Sequence, residues 1–126
     1  MKQVVFTQDA PAPIGPYSQA VMIGGTLYVS GQIAIDPKSN ELILNSIEEE
    51  THQVLKNLGA ILQAAGMDYK NVVKCSVFVK DIGQFGNINA IYSQYFNSEN
   101  PPARELVEVS RLPKLVNIEI SCIAAL

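Results

Sequence analysis

The chain contains no tryptophan, a single histidine and only two cysteines. One histidine excludes a multi-histidine metal centre, which needs several imidazoles on one ion. A Ser-His-Asp or Cys-His relay has to run through His52, which falls in a helical pattern and reads as a plain surface residue. Cys75 and Cys122 have neither CxxC spacing nor a neighbouring histidine, so they read as buried free thiols in strands. No metal or other cofactor is expected. Positive charge is also scarce: Lys and Arg total 9 against 12 acids, a net charge of −3, with no basic cluster. A nucleic-acid grip concentrates positive charge to replace counterions, so nucleic acid is disfavoured as a partner. No apolar run is long enough to span a bilayer, and the N-terminal run at Val4 to Phe6 is too short for a signal peptide. A cytoplasmic location without a membrane partner follows by default. If the chain is an enzyme, its acid–base work falls to a carboxylate, a tyrosine, the backbone or the substrate.

What is present is apolar residue, 48% of a 126-residue chain with 17% charged. That length and composition suit one compact domain spanning residues 1–126, with a core that needs no staples. Val4 to Phe6 is a short strand candidate, followed by a proline-rich, non-helical loop from Ala10 to Pro16. The runs Ala20 to Ile23 and Thr26 to Ser30 flank Gly24-Gly25, a hairpin signal. Ser46 to Glu49 reads as a capping box, opening a helix with Ile47, Val54, Leu55, Leu58, Ile61, Leu62 and Ala65 at helical spacing, closed by Gly66. Val72 to Lys80 alternates as a strand, with Val73, Cys75, Val77 and Val79 on one face. A second helix is predicted from about Ile82 to Phe96, broken by Asn97 to Pro102. Two C-terminal strands follow. The helices cross over between strands, which predicts parallel pairings with both helices on one face. The other face keeps apolar side chains with no helix to cover them, so burial against further copies is expected.

Arg104 and Glu119 stand out on the polar sides of the last two strands. In Val116 to Ala124 the even positions are apolar, and Asn117, Glu119 and Ser121 share the opposite face. In Pro102 to Val109, Arg104, Leu106 and Glu108 face away from Val107 and Val109. Arginine is a planar donor suited to a carboxylate, and glutamate is a base or water-holder. The pair suits binding and hydrolysis of a small anion. Two ordinary solvated strand charges are the alternative that the residues alone leave open.

Several segments together resemble the RidA/YjgF family of reactive-intermediate (enamine/imine) deaminases. Ala10 to Gln19 is similar to its AP-x-x-IGPYSQ opening. Tyr28 to Ile33 is similar to its SGQIP strand, with Ala34 where proline is usual. Val72 to Asp81, Asn89 to Tyr92, Pro102 to Lys114 and Ile118 to Ile120 carry further family segments, so nearly the whole chain is covered. The resemblance implies an α+β, chorismate-mutase-like fold: a mixed six-stranded sheet with two helices on one face. It implies a homotrimer with a barrel-like core and clefts between subunits. The last two strands, which on their own look like a hairpin, are then not neighbours, because the final strand enters the middle of the sheet.

The activity implied is hydrolysis of 2-imino acids or enamines, such as 2-iminobutanoate and 2-iminopropanoate, to 2-oxo acids and ammonia. Arg104 matches the residue that clamps the substrate carboxylate, and Glu119 the one that holds the attacking water. Tyr17, Ser30, Gly31 and Asn89 match positions that line or shape the cleft. Tyr17 also fits a loop anchor, Gly31 close backbone packing, and Asn89 a cap or a support for the arginine strand. Beside the arginine, Glu105 and Leu106 replace residues that are often small in the family. Leu106, on the face of Arg104, is expected to reshape the pocket, while Glu105 points away unless it curls back to compete with the substrate. Ser121 stands where a second glutamate is usual. Other readings are a metabolite-binding regulatory trimer with little turnover and a chorismate-mutase-type rearrangement. The latter needs more positive groups than Arg104 alone. RNA cleavage, reported for some family members, ranks last on charge.

Overall fold

The computed structural model describes residues 1–96 and 98–126. Three strands open the chain: β1 (Gln3–Val5), β2 (Ala20–Ile23) and β3 (Thr26–Gln32). β2 and β3 form an antiparallel hairpin across Gly24 and Gly25, whose φ values of 56° and 81° are left-handed and suit residues without a Cβ. Helix α1 (Ile47–Ala64) begins at Ser46, whose hydroxyl accepts the Glu49 N–H at 3.1 Å. Gly66, at φ 75°, follows its end. Val54, Leu55, Leu58, Ile61 and Leu62 form the helix's buried stripe, as their spacing predicts. Each such side chain stabilises the fold by roughly 1.5–3 kcal/mol on burial.

The rest of the chain runs β4 (Val72–Val79), α2 (Phe85–Tyr92), β5 (Ala103–Glu108) and β6 (Ile118–Ala125). The six strands make one sheet in the order β1-β2-β3-β6-β4-β5. β4 and β5 are parallel, and the other pairings are antiparallel. The expected six-stranded mixed sheet, with the last strand in its middle, is therefore observed. Only one of the two predicted crossovers joins neighbours. α2 links the parallel pair β4 and β5, whereas β6 lies between β3 and β4. β6 earns that central place by its alternation: Ile118, Ile120, Cys122 and Ala124 are buried on the helix side. Its entry is anchored by Glu50, a fully buried carboxylate on α1. Glu50 accepts the Asn117 N–H and side-chain amide, both at 2.8 Å, and the Ile118 N–H at 3.2 Å.

Several expectations need correction. The second helix is shorter than its pattern, because Ile82–Gln84 form a 3₁₀ turn and Ser93 to Phe96 leave the α-helix in turns. Asn97, the first residue of the expected helix break, lies outside the described residues. Val73 does not share the face of Cys75. A register shift between Val72 and Lys74 turns Val72 into the core and leaves Val73 exposed. His52 is half-buried, its Nδ1 2.7 Å from the Tyr95 hydroxyl. Both cysteines are free and buried. They face each other across β4 and β6, and burial pushes the Cys122 thiol up to about 12. Among the described residues, no helix is long and apolar enough to cross a membrane.

The sheet has two unlike faces. One, packed against the helices, holds the core. The other exposes Val4, Ile23, Tyr28 and Val107 and half-exposes Phe78 and Ile123.

Candidate functional site

The chain comes close against itself where β3 leaves β6. Val29 pairs with Cys122 and Gln32 with Ile120, so β3 carries one more residue than its partner there. This irregularity puts Gly31 directly beneath Glu119. A Cβ built on Gly31 would lie 2.1 Å from Glu119 Oε2, so only glycine leaves room for the carboxylate. The carboxylate opens into a cleft of ≈ 340 Å³ lined by Pro11, Ala12, Ile14, Tyr17, Ser30, Ile33, Ile35 and Pro113 among others. Those walls are mostly apolar, and Glu119 is the one charged residue among them. Burial accordingly raises its pKa above the ordinary carboxylate range.

The wall that carries Tyr17 is built by Gln19. Its buried amide accepts the Thr7 N–H at 2.8 Å and donates to Thr7 O at 3.0 Å and Pro11 O at 2.9 Å. Ser30 closes the other side, its hydroxyl donating to Ser18 O at 2.6 Å. Tyr17 accepts the Ile14 N–H at 3.3 Å and is 47% exposed at the cleft, so it is tied into the loop and open to a ligand at once. On the opposite wall, buried Asn57 of α1 donates to Ile33 O at 3.1 Å and Ile35 O at 3.0 Å. Gln19 and Asn57 escaped the sequence reading. The only signal was a glutamine closing the proline-rich motif and a polar residue among the buried positions of α1.

Arg104 lies elsewhere. It pairs in register with Cys75, on the helix side of the sheet, whereas Glu119 pairs with Phe78 on the open side. Within one chain the two therefore emerge on opposite faces. Arg104 Nη1 donates to Asn89 Oδ1 at 2.7 Å. Its guanidinium carbon lies 4.7 Å from the Tyr92 ring centre and 5.8 Å from that of Phe85. Leu106 shares this side and packs against the core. Glu105 does not curl back. It is held on the open side by the Ser76 hydroxyl and by Lys74 Nζ at 3.1 Å, which lower its pKa. The predicted residues thus form two groups, Tyr17, Ser30, Gly31 and Glu119 at the cleft and Asn89, Arg104 and Leu106 beside α2. No group of three or more His, Cys, Asp or Glu among the described residues is arranged to hold a metal.

The chain matches known proteins over nearly its whole length. Residues 7–126 match the family model described as Endoribonuclease L-PSP. The chain belongs to the RidA/YjgF family. A RutC family protein of Pyrococcus horikoshii is 52% identical over 124 residues, covering 98% of each chain. A human protein named 2-iminobutanoate/2-iminopropanoate deaminase is 50% identical over 124 residues, covering 98% of this chain and 90% of its own. Among solved structures, E. coli TdcF with bound serine superposes at TM-score 0.93 with 38% identity, covering 98% of both chains.

Proposed function

We propose that this RidA/YjgF chain is a 2-iminobutanoate/2-iminopropanoate deaminase, hydrolysing small 2-imino acids or their enamine tautomers to 2-oxo acids and ammonia. The observation that carries the reading is the chemical incompleteness of each half of the site. Among the described residues, a desolvated carboxylate sits in an apolar cleft lined by no cation, and beside α2 sits an arginine that forms no ion pair with a carboxylate. Two copies meeting edge to cleft would supply both. The uncovered apolar sheet face supports such an assembly, which we take to be a homotrimer with a barrel-like core.

In this mechanism Arg104 of one copy receives the substrate carboxylate as a bidentate pair. Glu119 of its neighbour holds a water against the imine carbon and takes its proton as the water adds. In the resulting tetrahedral carbinolamine the C=O bond forms as the C–N bond breaks, the hydroxyl proton passing to solvent and so balancing the proton that charged the imine. Glu119 returns the proton to the departing nitrogen. Imine and water thus become 2-oxo acid and ammonia, with no redox change and no metal in the balance. Addition to a protonated imine is intrinsically easy, so placement and modest base catalysis suffice. The raised pKa of Glu119 suits it to that proton traffic.

The deaminase name of the human relative and the amino acid bound to TdcF support a small amino-acid-derived substrate. A regulatory trimer with little turnover has less support, because Glu105 is tied to Ser76 and Lys74 and leaves Arg104 alone. RNA cleavage suits the chain poorly as well. Its only histidine bonds to Tyr95 in a separate groove, and the net charge is −3. The deciding experiment generates 2-iminobutanoate in situ with a threonine dehydratase and follows 2-oxobutanoate. Clear acceleration over buffer is expected, and none would reject the enzyme.

A further inference from the structure

We propose that the rings of Tyr92 and Phe85 are a positioning device for Arg104, holding the guanidinium oriented for an incoming carboxylate. The proposal rests on the reading above that Arg104 receives the carboxylate.

An arginine on an edge strand has many rotamers to lose on binding, and freezing one beforehand improves affinity. The usual way to freeze an arginine is an acidic partner, which would also occupy its donors. Here, among the described residues, no carboxylate forms an ion pair with it. Phe85, Asn89 and Tyr92 lie at i, i+4 and i+7 on α2, so one helical face presents two rings and one carboxamide. Asn89 takes a single N–H, and the rings lie 4.7 Å and 5.8 Å from the guanidinium carbon. A π face orients a guanidinium without spending its hydrogen bonds. The remaining N–H groups and the whole positive charge stay available to an anion.

The nearer ring is itself immobilised. Tyr92 is 8% exposed and stacks on Phe96 at 4.6 Å, and Phe96 in turn meets Tyr69 edge-on at 5.7 Å. Among the described residues its hydroxyl has no hydrogen-bond partner of normal geometry, and the weak Cys75 thiol is the one polar group that acts on it at close range. A buried orphan hydroxyl is a cost to the fold. What the arrangement uses is therefore the ring and not the O–H, which separates this role from a catalytic tyrosine.

The test is calorimetric titration with 2-oxobutanoate, the reaction's product, alongside the imine assay. Tyr92→Leu is expected to weaken binding about ten-fold, with the kinetic loss in KM and not kcat, and Phe85→Ala about two-fold. Tyr92→Phe is expected to recover most of the binding lost in Tyr92→Leu and to melt no lower than the wild type. A folded Tyr92→Leu protein that binds at full strength overturns the proposal. So does a Tyr92→Phe protein as weak as Tyr92→Leu, which would assign the role to the hydroxyl. If Tyr92→Leu does not fold, Phe85→Ala decides, since Phe85 is exposed and its loss leaves the core intact. Wild-type affinity there overturns the device. Arg104→Ala separates the two levels: full affinity in that variant removes the carboxylate clamp itself. Weak binding there with full affinity in Tyr92→Leu removes only the rings.

Discussion

The acid and the cation of the proposed site are held in opposite ways. Glu119 is placed by the absence of a side chain, at Gly31, and by apolar walls that withdraw water from it. Arg104 is placed by the presence of side chains, an amide and two rings on one helical face. The first arrangement raises the energy of a charge, and the second stabilises one without neutralising it. A carboxylate that must take and return a proton profits from desolvation, whereas an arginine that must attract an anion profits from keeping its charge unpaired.

The sharpest way to break that comparison is to separate the halves. Arg104→Ala and Glu119→Gln are each expected to lose about a hundred-fold or more in kcat/KM, with melting temperatures close to wild type. If each site is shared between copies, unfolding and refolding the two variants together at equal amounts restores about a quarter of wild-type activity, since random assembly rebuilds about that share of sites. No recovery in well-mixed oligomers would place both groups in the same copy's site.

Gly31→Ala tests the acid half alone. Its Cβ would meet Glu119 Oε2 at 2.1 Å, so the carboxylate must move. A displacement near 1 Å predicts a fall in kcat of about ten- to a hundred-fold. Binding of 2-oxobutanoate should change less, because Arg104 is untouched.

The pH profile is a finer probe. The pKa of Glu119 is raised by burial, and the proposed reaction uses its ionised form. Activity is therefore expected to fall as pH drops through that raised value, at a higher pH than an ordinary carboxylate would give. Glu119→Gln should remove this limb from whatever rate remains. The same shift acts on stability with the opposite sense. The folded state penalises ionised Glu119, a penalty present above the raised pKa and relieved as pH falls through it.

The smallest effect is expected at Glu105. Its carboxylate lies across the sheet from Arg104, engaged by Ser76 and Lys74. Glu105→Ala should leave kcat/KM within about two-fold and the melting temperature close to wild type, as for an exposed surface pair. A large gain in affinity for 2-oxo acids would instead mean that Glu105 does reach the arginine.

Periodicity carried most of the elements. The stripe of α1, the Gly24-Gly25 hairpin and the alternation of β6 are local patterns, legible because burial repeats at each element's own period. The pattern failed where a local irregularity changed the phase. The shift at Val72 and Lys74 moved Val73 out of the core, and the aromatic run of α2 outlasted the helix. Candidate site residues were legible as motifs, but their grouping was not.

By itself, then, the amino-acid order determined which segments become strands or helices and most of the faces they bury, but in β5 the side read as polar, with Arg104 and Leu106, is the one packed toward the helices, while Val107 on the other side is exposed. Only the tertiary structure decided that Arg104 and Glu119 lie on opposite faces of one sheet, the first on the helix side and the second on the open side. Alternation says which neighbours share a side within a strand, but register between strands assigns that side to the helices or to the open face. The same holds for the carboxylate over Gly31 and the rings under Arg104. Each depends on residues far apart in the chain meeting at a few ångströms, and no periodicity encodes such a meeting.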